Sequence, residues 1–205
     1  MRLKGSFFNR DTSTVAQELL GKTIVVRRGN GEKTKATITE TEAYHGFDDK
    51  ASHASRKKTE RNGIMFEKAG LVYVYLVYGM HWCLNFVTMS KNFPAAVLIR
   101  SVIVDNSKIK NQKSKSQLKI QKFKNYFEIK NYKIKNFIPI EGPGRVCKYL
   151  GIDRSFYGED LTESKRIWIE DGIKIKKSNI IKSQRIGVDY AGECAKWEWN
   201  YRIDF

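Results

Sequence analysis

Between Leu71 and Met89 the sequence spells a strand, a tight turn and a second strand. Leu71 to Val77 is dense in Val and Tyr, side chains that suit a pleated, half-buried surface. Tyr78-Gly79-Met80-His81 reads as a turn, and Trp82 to Met89 returns as the partner strand. A connection that short joins only antiparallel neighbours, because parallel strands need a crossover of roughly a dozen residues or more. The other elements obey the same restriction. Asp11 or Thr12 caps a helix carrying Val15, Ala16, Leu19 and Leu20, which Gly21 stops. Thr23 to Arg28 and Ala36 to Tyr44 read as strands joined at Gly29-Asn30-Gly31, and Ala95 to Val104 as a further buried strand. His45 to Asn62 is polar and irregular, a loop of functional length. Gly142-Pro143-Gly144 opens a short helix through Val146, Cys147 and Leu150. Strands are expected around Arg166–Glu170 and Ser183–Val188, ahead of an aromatic ending from Trp197 to Phe205. Helices and strands mix without a βαβ rhythm, which predicts an α+β chain with a largely antiparallel sheet. At 205 residues it has length enough for one domain with a sizeable core.

Net charge narrows the partner. The chain carries 38 Lys and Arg against 22 Asp and Glu, a formal charge of +16, which points to a polyanion and first to nucleic acid. Half of that excess lies between Asp105 and Phe137, a Lys/Asn-rich stretch with ten Lys and no Arg. Leu118, Phe123 and Phe127 would line a basic helix there, and disorder is the competing reading. Three widely spaced cysteines form no C-x-x-C pair, which argues against a disulfide framework, a zinc ribbon or an iron–sulfur cluster. Three histidines without a helical i, i+4 pair argue against zinc. No metal and no cofactor are therefore expected. No apolar run approaches the ~20 residues of a membrane span, and the basic N-terminus leads into no apolar stretch, so a cytoplasmic protein with no membrane partner is expected.

Glu40-Thr41-Glu42-Ala43-Tyr44 is the most unusual strand. Period-two alternation puts Glu40, Glu42 and Tyr44 on one face, with Thr39, Thr41 and Ala43 on the other. Two carboxylates beside a ring suit a general base, and they equally suit a solvated strand face. Tyr73 and Trp82 read as core aromatics, whereas Tyr78 opens the turn and is harder to bury. A projecting ring beside Gly79 and Met80 is what a wedge between base steps requires. His53, alone in a polar loop, reads by itself as a surface histidine. Gly142-Pro143-Gly144-Arg145 reads as a plain turn or as a phosphate cradle.

Seven blocks stand in order: Phe7-Phe8 with Val15-Ala16-x-x-Leu19-Leu20-Gly21-Lys22; Glu40-Thr41-Glu42-Ala43-Tyr44; Arg61-Asn62-x-x-Met65-Phe66; Tyr73-Val74-Tyr75-x-x-Tyr78-Gly79-Met80 through Cys83-x-Asn85; Val97-Leu98-Ile99-Arg100; Gly142-Pro143-Gly144; and Arg185-Ile186-Gly187-Val188 with Ala191-Gly192-Glu193. Together they resemble the 3-methyladenine (alkyladenine) DNA glycosylase family over roughly 3–104 and 138–197. The resemblance implies one α+β domain over 1–205, with a curved, largely antiparallel sheet, a protruding aromatic β-hairpin and a Lys/Asn-rich insertion at about 105–137. It implies a monomeric, monofunctional enzyme acting on double-stranded DNA that contains alkylated or deaminated purines. A damaged nucleotide is flipped out and its N-glycosidic bond hydrolysed.

By the same resemblance Glu42 is the general base for water. Arg100 and the backbone carbonyl of Ile186 help to hold that water. Tyr44 and His53 stack on one face of the flipped base and Tyr75 on the other. Asn85 disfavours guanine, while Tyr78, with Met80 beside it, fills the gap in the duplex. The sequence departs from the family pattern at Ser101-Val102-Ile103-Val104-Asp105, in the spacing between Asn85 and Arg100, and at Cys194. Two competing classes remain. One is a metal-dependent nuclease using Glu40, Glu42, Asp48 and Asp49; the other is a non-enzymatic basic DNA-binding protein.

Overall fold

The computed structural model describes residues 1–105 and 137–204; the basic-helix reading of the Lys-rich stretch lies outside them. Two short helices lead in, α1 (Gly5–Phe8) and α2 (Thr12–Leu19). Asp11 caps α2 through the amide of Thr14. Strands β1 (Thr23–Arg27) and β2 (Lys33–His45) follow, then β3 (Val72–Val77), β4 (His81–Val87), β5 (Ala95–Asp105) and β6 (Phe137–Glu141). Helix α3 (Pro143–Leu150) starts on the expected Pro143 and ends at the left-handed Gly151. The chain closes with β7 (Ile167–Glu170), β8 (Ile180–Ser183) and β9 (Asn200–Ile203).

Among the described residues nine strands form one curled sheet with every pairing antiparallel, the β3–β4 pair as its short turn requires. The main order is β3-β4-β5-β2-β1-β7; β6 lies against β5, and β9 joins β2 to β8. One face carries the core. Val15, Ala16 and Leu19 of α2 and Val146, Cys147 and Leu150 of α3 pack there on Ile24, Ile38, Val72, Leu84, Val97 and Ile99. Each fully buried Val, Leu or Ile contributes about 1.5–3 kcal/mol. Thr41 Oγ1 donates to the carbonyl of Ala16 at 2.9 Å and fastens β2 to α2.

A double irregularity in the β2–β5 pairing decides which residues reach the other face. Ile38 faces Val102, Glu40 faces Ser101 and Thr41 faces Ile99, so Thr39 on β2 and Arg100 on β5 are left without opposite partners. Core positions run Ala36, Ile38 before this point on β2 and Thr41, Ala43 after it. On β5 they run Val97, Ile99 and then Val102, Val104. A bulge shifts the alternation by one residue. Without it Glu40 and Glu42 would continue the Ala36–Ile38 row into the apolar core. With it Glu40, Glu42, Tyr44 and Arg100 emerge together on the opposite face.

The strand expected over Ser183–Val188 is displaced. β8 ends at Ser183, and the chain then leaves the sheet, because Arg185 is drawn into a buried ion pair and Gly187 adopts φ +76°. The aromatic ending contains a strand the sequence does not announce, β9. Cys83, Cys147 and Cys194 are buried and free of disulfides. Among the described residues no helix is long and apolar enough to cross a membrane.

Candidate active site

Glu42 is fully buried, and both its oxygens are occupied. Oε2 accepts the Tyr44 hydroxyl at 2.9 Å and Arg100 Nη1 at 3.2 Å. Oε1 accepts the Ile186 amide at 2.8 Å and Asn200 Nδ2 at 3.1 Å. Four donors on two oxygens match the acceptor-only chemistry of an ionised carboxylate. Glu40 belongs to the same network: it accepts Arg100 Nε at 3.3 Å, Asn200 Nδ2 at 2.8 Å and the Ser101 hydroxyl at 2.8 Å. Glu42 is thus shut off from solvent and Glu40 only partly so, and neither is without partners. Burial by itself would lower the Arg100 guanidinium, but Glu42 and Glu40 beside it hold it above its ordinary value. Burial first, and then Glu42, raise the Tyr44 phenol well above its ordinary value, so that it remains a donor.

Above this network opens a cleft of about 560 Å³, lined among others by Tyr44, His53, Tyr75, Asn85, Arg100 and Ile186. That volume suits a single ligand of nucleobase size with room to spare. Tyr75 and Cys83, like Tyr73 and Asn85, stand directly opposite one another on β3 and β4. Asn85 is buried, its amide donating to the carbonyls of Tyr73 at 3.2 Å and Cys83 at 3.4 Å. His53 shares a hydrogen bond with the Tyr73 hydroxyl at 2.9 Å, and its carbonyl accepts Asn62 Nδ2 at 2.8 Å. Crowding of the ring by its neighbours, then Arg61, lower the His53 imidazole to about 4, although the residue as a whole keeps an exposed edge, as a surface histidine would. Tyr73 is the core residue expected, yet it also holds His53.

Tyr44, His53, Tyr75, Tyr78, Asn85, Arg100 and Ile186 line this cleft; Glu42 is buried behind Tyr44, Arg100 and Ile186, which bond to it, and Met80 shares the β3–β4 turn with Tyr78. Ile186 presents its amide to Glu42, where the resemblance singles out its carbonyl. His53 lies edge-on to Tyr75, with ring centres 4.6 Å apart at 78°. A base held between two rings needs about 7 Å, twice a van der Waals separation, so these two rings do not bracket an open slot. At the rim Tyr78 is 88% and Met80 69% exposed, and Tyr78 sits at φ +52°, a left-handed conformation that Tyr rarely adopts. Pro143 of α3 also lines the cleft, and a side chain at Gly144 would press on His81 at 3.0 Å.

The four acids of the nuclease reading do not converge. Asp49 pairs with Arg185, and Asp48 is exposed. Among the described residues no three His, Cys, Asp or Glu side chains are grouped to hold a metal ion. Sequence reasoning missed Asn200, which bridges Glu40 and Glu42 from β9, and gave Arg185 no role beyond a block of identities.

Three similar proteins share one name, that of a DNA glycosylase. A Clostridium perfringens (strain 13 / Type A) protein named "Putative 3-methyladenine DNA glycosylase" is 43% identical over 210 residues, covering 99% of this chain and 96% of its own length. Proteins of the same name from Methanocella arvoryzae and Rickettsia prowazekii are 42% and 44% identical. The first covers 97% of this chain and 90% of its own length, the second 82% of each. The chain belongs to the methylpurine-DNA glycosylase family, whose model matches residues 6–204.

Proposed function

We propose that this protein is a DNA glycosylase that removes methylated purines, of the 3-methyladenine type, from double-stranded DNA and leaves an abasic site. The observation that carries the reading is the buried Glu42, held by four donors directly beneath an aromatic cleft of nucleobase size. The damaged nucleotide swings out of the helix into that cleft, at a lower cost than a normal base because a lesion stacks and pairs poorly. Tyr44 and Tyr75 offer electron-rich faces to a purine made cationic by alkylation, worth ~0.5–2 kcal/mol for a good contact. Tyr78 and Met80 occupy the space the nucleotide vacates.

A water held by Arg100 takes the place of that side chain's 3.2 Å contact on Glu42 Oε2 and gives up its proton to the carboxylate as its oxygen bonds to C1′. The C1′–N bond breaks, and its electron pair returns to the purine ring, which leaves neutral. A cationic purine is already a good leaving group, so the chemistry asks more for a positioned base than for a strong acid. No lysine nucleophile takes part, and strand cleavage does not accompany base release.

Duplex DNA methylated to carry 3-methyladenine and 7-methylguanine, beside synthetic duplexes carrying hypoxanthine or ethenoadenine, tests this in single turnover with a chelator present. We expect release of a methylated purine without strand breaks until alkali is added, and a loss of ~10²-fold or more in Glu42→Gln with lesion-DNA binding retained. Undiminished excision by Glu42→Gln, or backbone cuts that precede base release, would overturn it.

A further inference from the structure

A second ionic group is buried beside the cleft and takes no part in the chemistry above. Arg185 and Asp49 are both fully buried and meet in a two-pronged pair, Nη1 to Oδ2 at 2.6 Å and Nη2 to Oδ1 at 2.8 Å. Arg185 also donates to the carbonyls of Ala43 at 2.9 Å and Cys194 at 3.1 Å. Asp49 also accepts the amides of His45 at 3.2 Å and Ala51 at 3.1 Å. The guanidinium carbon lies 4.8 Å from the Tyr44 ring centre and 5.2 Å from a Trp199 ring centre. One ion pair therefore fastens three separate stretches of chain: the end of β2, the loop that reaches His53, and the segment running from β8 to Cys194.

Position in the sequence makes this fastening bear on Glu42. Ile186 follows Arg185 directly, and its amide is the donor to Glu42 Oε1. Tyr44 follows Ala43, whose carbonyl Arg185 holds, and the Tyr44 ring rests on the guanidinium. Two of the four donors on Glu42 are thus set by where Arg185 sits. As a stability device the pair is a poor choice, since burying two charges carries a heavy desolvation penalty and an apolar pair of similar volume often holds loops as well. What it supplies is direction: a planar fork whose donors are fixed by four acceptors.

We propose that Asp49 and Arg185 form a positioning pair for the reaction, fixing the Ile186 amide and the Tyr44 hydroxyl on the two oxygens of Glu42. The kinetic part rests on the glycosylase reading; the structural part does not. Arg185→Lys keeps the charge and loses the fork, whereas Asp49→Asn keeps the shape and loses the charge. For each folded variant three quantities are read: the Ile186 amide proton in a ¹H–¹⁵N spectrum, single-turnover excision of 3-methyladenine from methylated duplex, and affinity for undamaged duplex. We expect the Ile186 resonance to move upfield and excision to fall by about 10²-fold, the scale of a displaced catalytic contact. Duplex affinity should stay within about threefold, because no phosphate-facing cation is removed.

A folded variant whose Ile186 resonance is unmoved, or whose excision stays within about threefold of the original, overturns the proposal. So does an equal loss in excision and duplex affinity, the mark of general disorder. If Arg185→Lys does not fold, Asp49→Asn carries the test. If neither folds, the pair is structural and the proposal falls. Should the unaltered protein excise no lesion, the glycosylase reading fails on its own, while the amide signal, which needs no substrate, still decides whether the pair sets Ile186.

Discussion

The amide nitrogen of Ile186 lies 2.8 Å from Glu42 Oε1, although 144 residues separate the two in sequence. The contact closes the site from the side opposite Tyr44 and Arg100, and Asn200 completes it from β9. Glu42 and Asn200 stand directly opposite on β2 and β9, so the bridge from Asn200 to both carboxylates follows from strand register.

Asn200→Leu removes the donor shared by Glu40 and Glu42 at nearly constant volume. Each acid then loses one partner in a place water does not easily refill, which costs about 1–3 kcal/mol. The expected outcome is a lower urea midpoint with an unchanged slope, and excision slowed roughly tenfold, less than the loss of the base itself. A variant as stable and as active as the original would show that Arg100, Ser101, Tyr44 and Ile186 suffice.

Much of this site is legible in the sequence. Alternation alone puts Glu40, Glu42 and Tyr44 on one face, and the structure agrees. The reason they avoid the core is not legible. The bulge that leaves Thr39 and Arg100 without opposite partners arises from pairing between strands about sixty residues apart, and no local residue type announces it. The 183–188 stretch fails for a related reason. Ile186 and Val188 at a spacing of two imitate a strand, but the local conformation is set by Arg185 reaching Asp49, 136 residues away. Asn200 carries no motif at all and gains its meaning only from the strand opposite. Short-range features such as the Asp11 cap, Pro143 at a helix start and the β3–β4 turn are read correctly, because the residues that specify them adjoin.

His53 should titrate far below an ordinary histidine. Its value near 4 in the folded state, against 6.5 in a free chain, means that the unfolded chain binds more protons between those two pH values. Its contribution to stability is therefore fully present above pH 6.5 and is lost as the pH falls toward 4. Because the ring borders an open cleft, solvent screening keeps this slope shallow. NMR titration of the imidazole should give a midpoint near 4. His53→Gln should flatten the acid limb of the stability profile. A midpoint close to 6.5 would mean that the ring is more hydrated than its contacts with Tyr73 and Tyr75 indicate.

Tyr78 is held against both of its own preferences. A large ring stands 88% exposed, and its backbone takes φ +52°, next to Gly79 at φ +68°. A tight hairpin turn with two left-handed residues favours Asn-Gly, and a left-handed non-glycine residue costs about 1–2 kcal/mol, least for Asn. Among the described residues no packing contact offsets this cost, which supports the proposed role of the ring as a wedge in the duplex. Tyr78→Asn should therefore raise unfolding stability by about 0.5–1 kcal/mol while slowing excision from intact duplex, because the vacated stack is no longer filled. The same variant should act normally on a lesion already unpaired in single-stranded DNA, where no gap opens. Equal losses on both substrates would place the effect of Tyr78 inside the cleft rather than in the duplex, and a fall in stability would show that the ring packs on the hairpin after all.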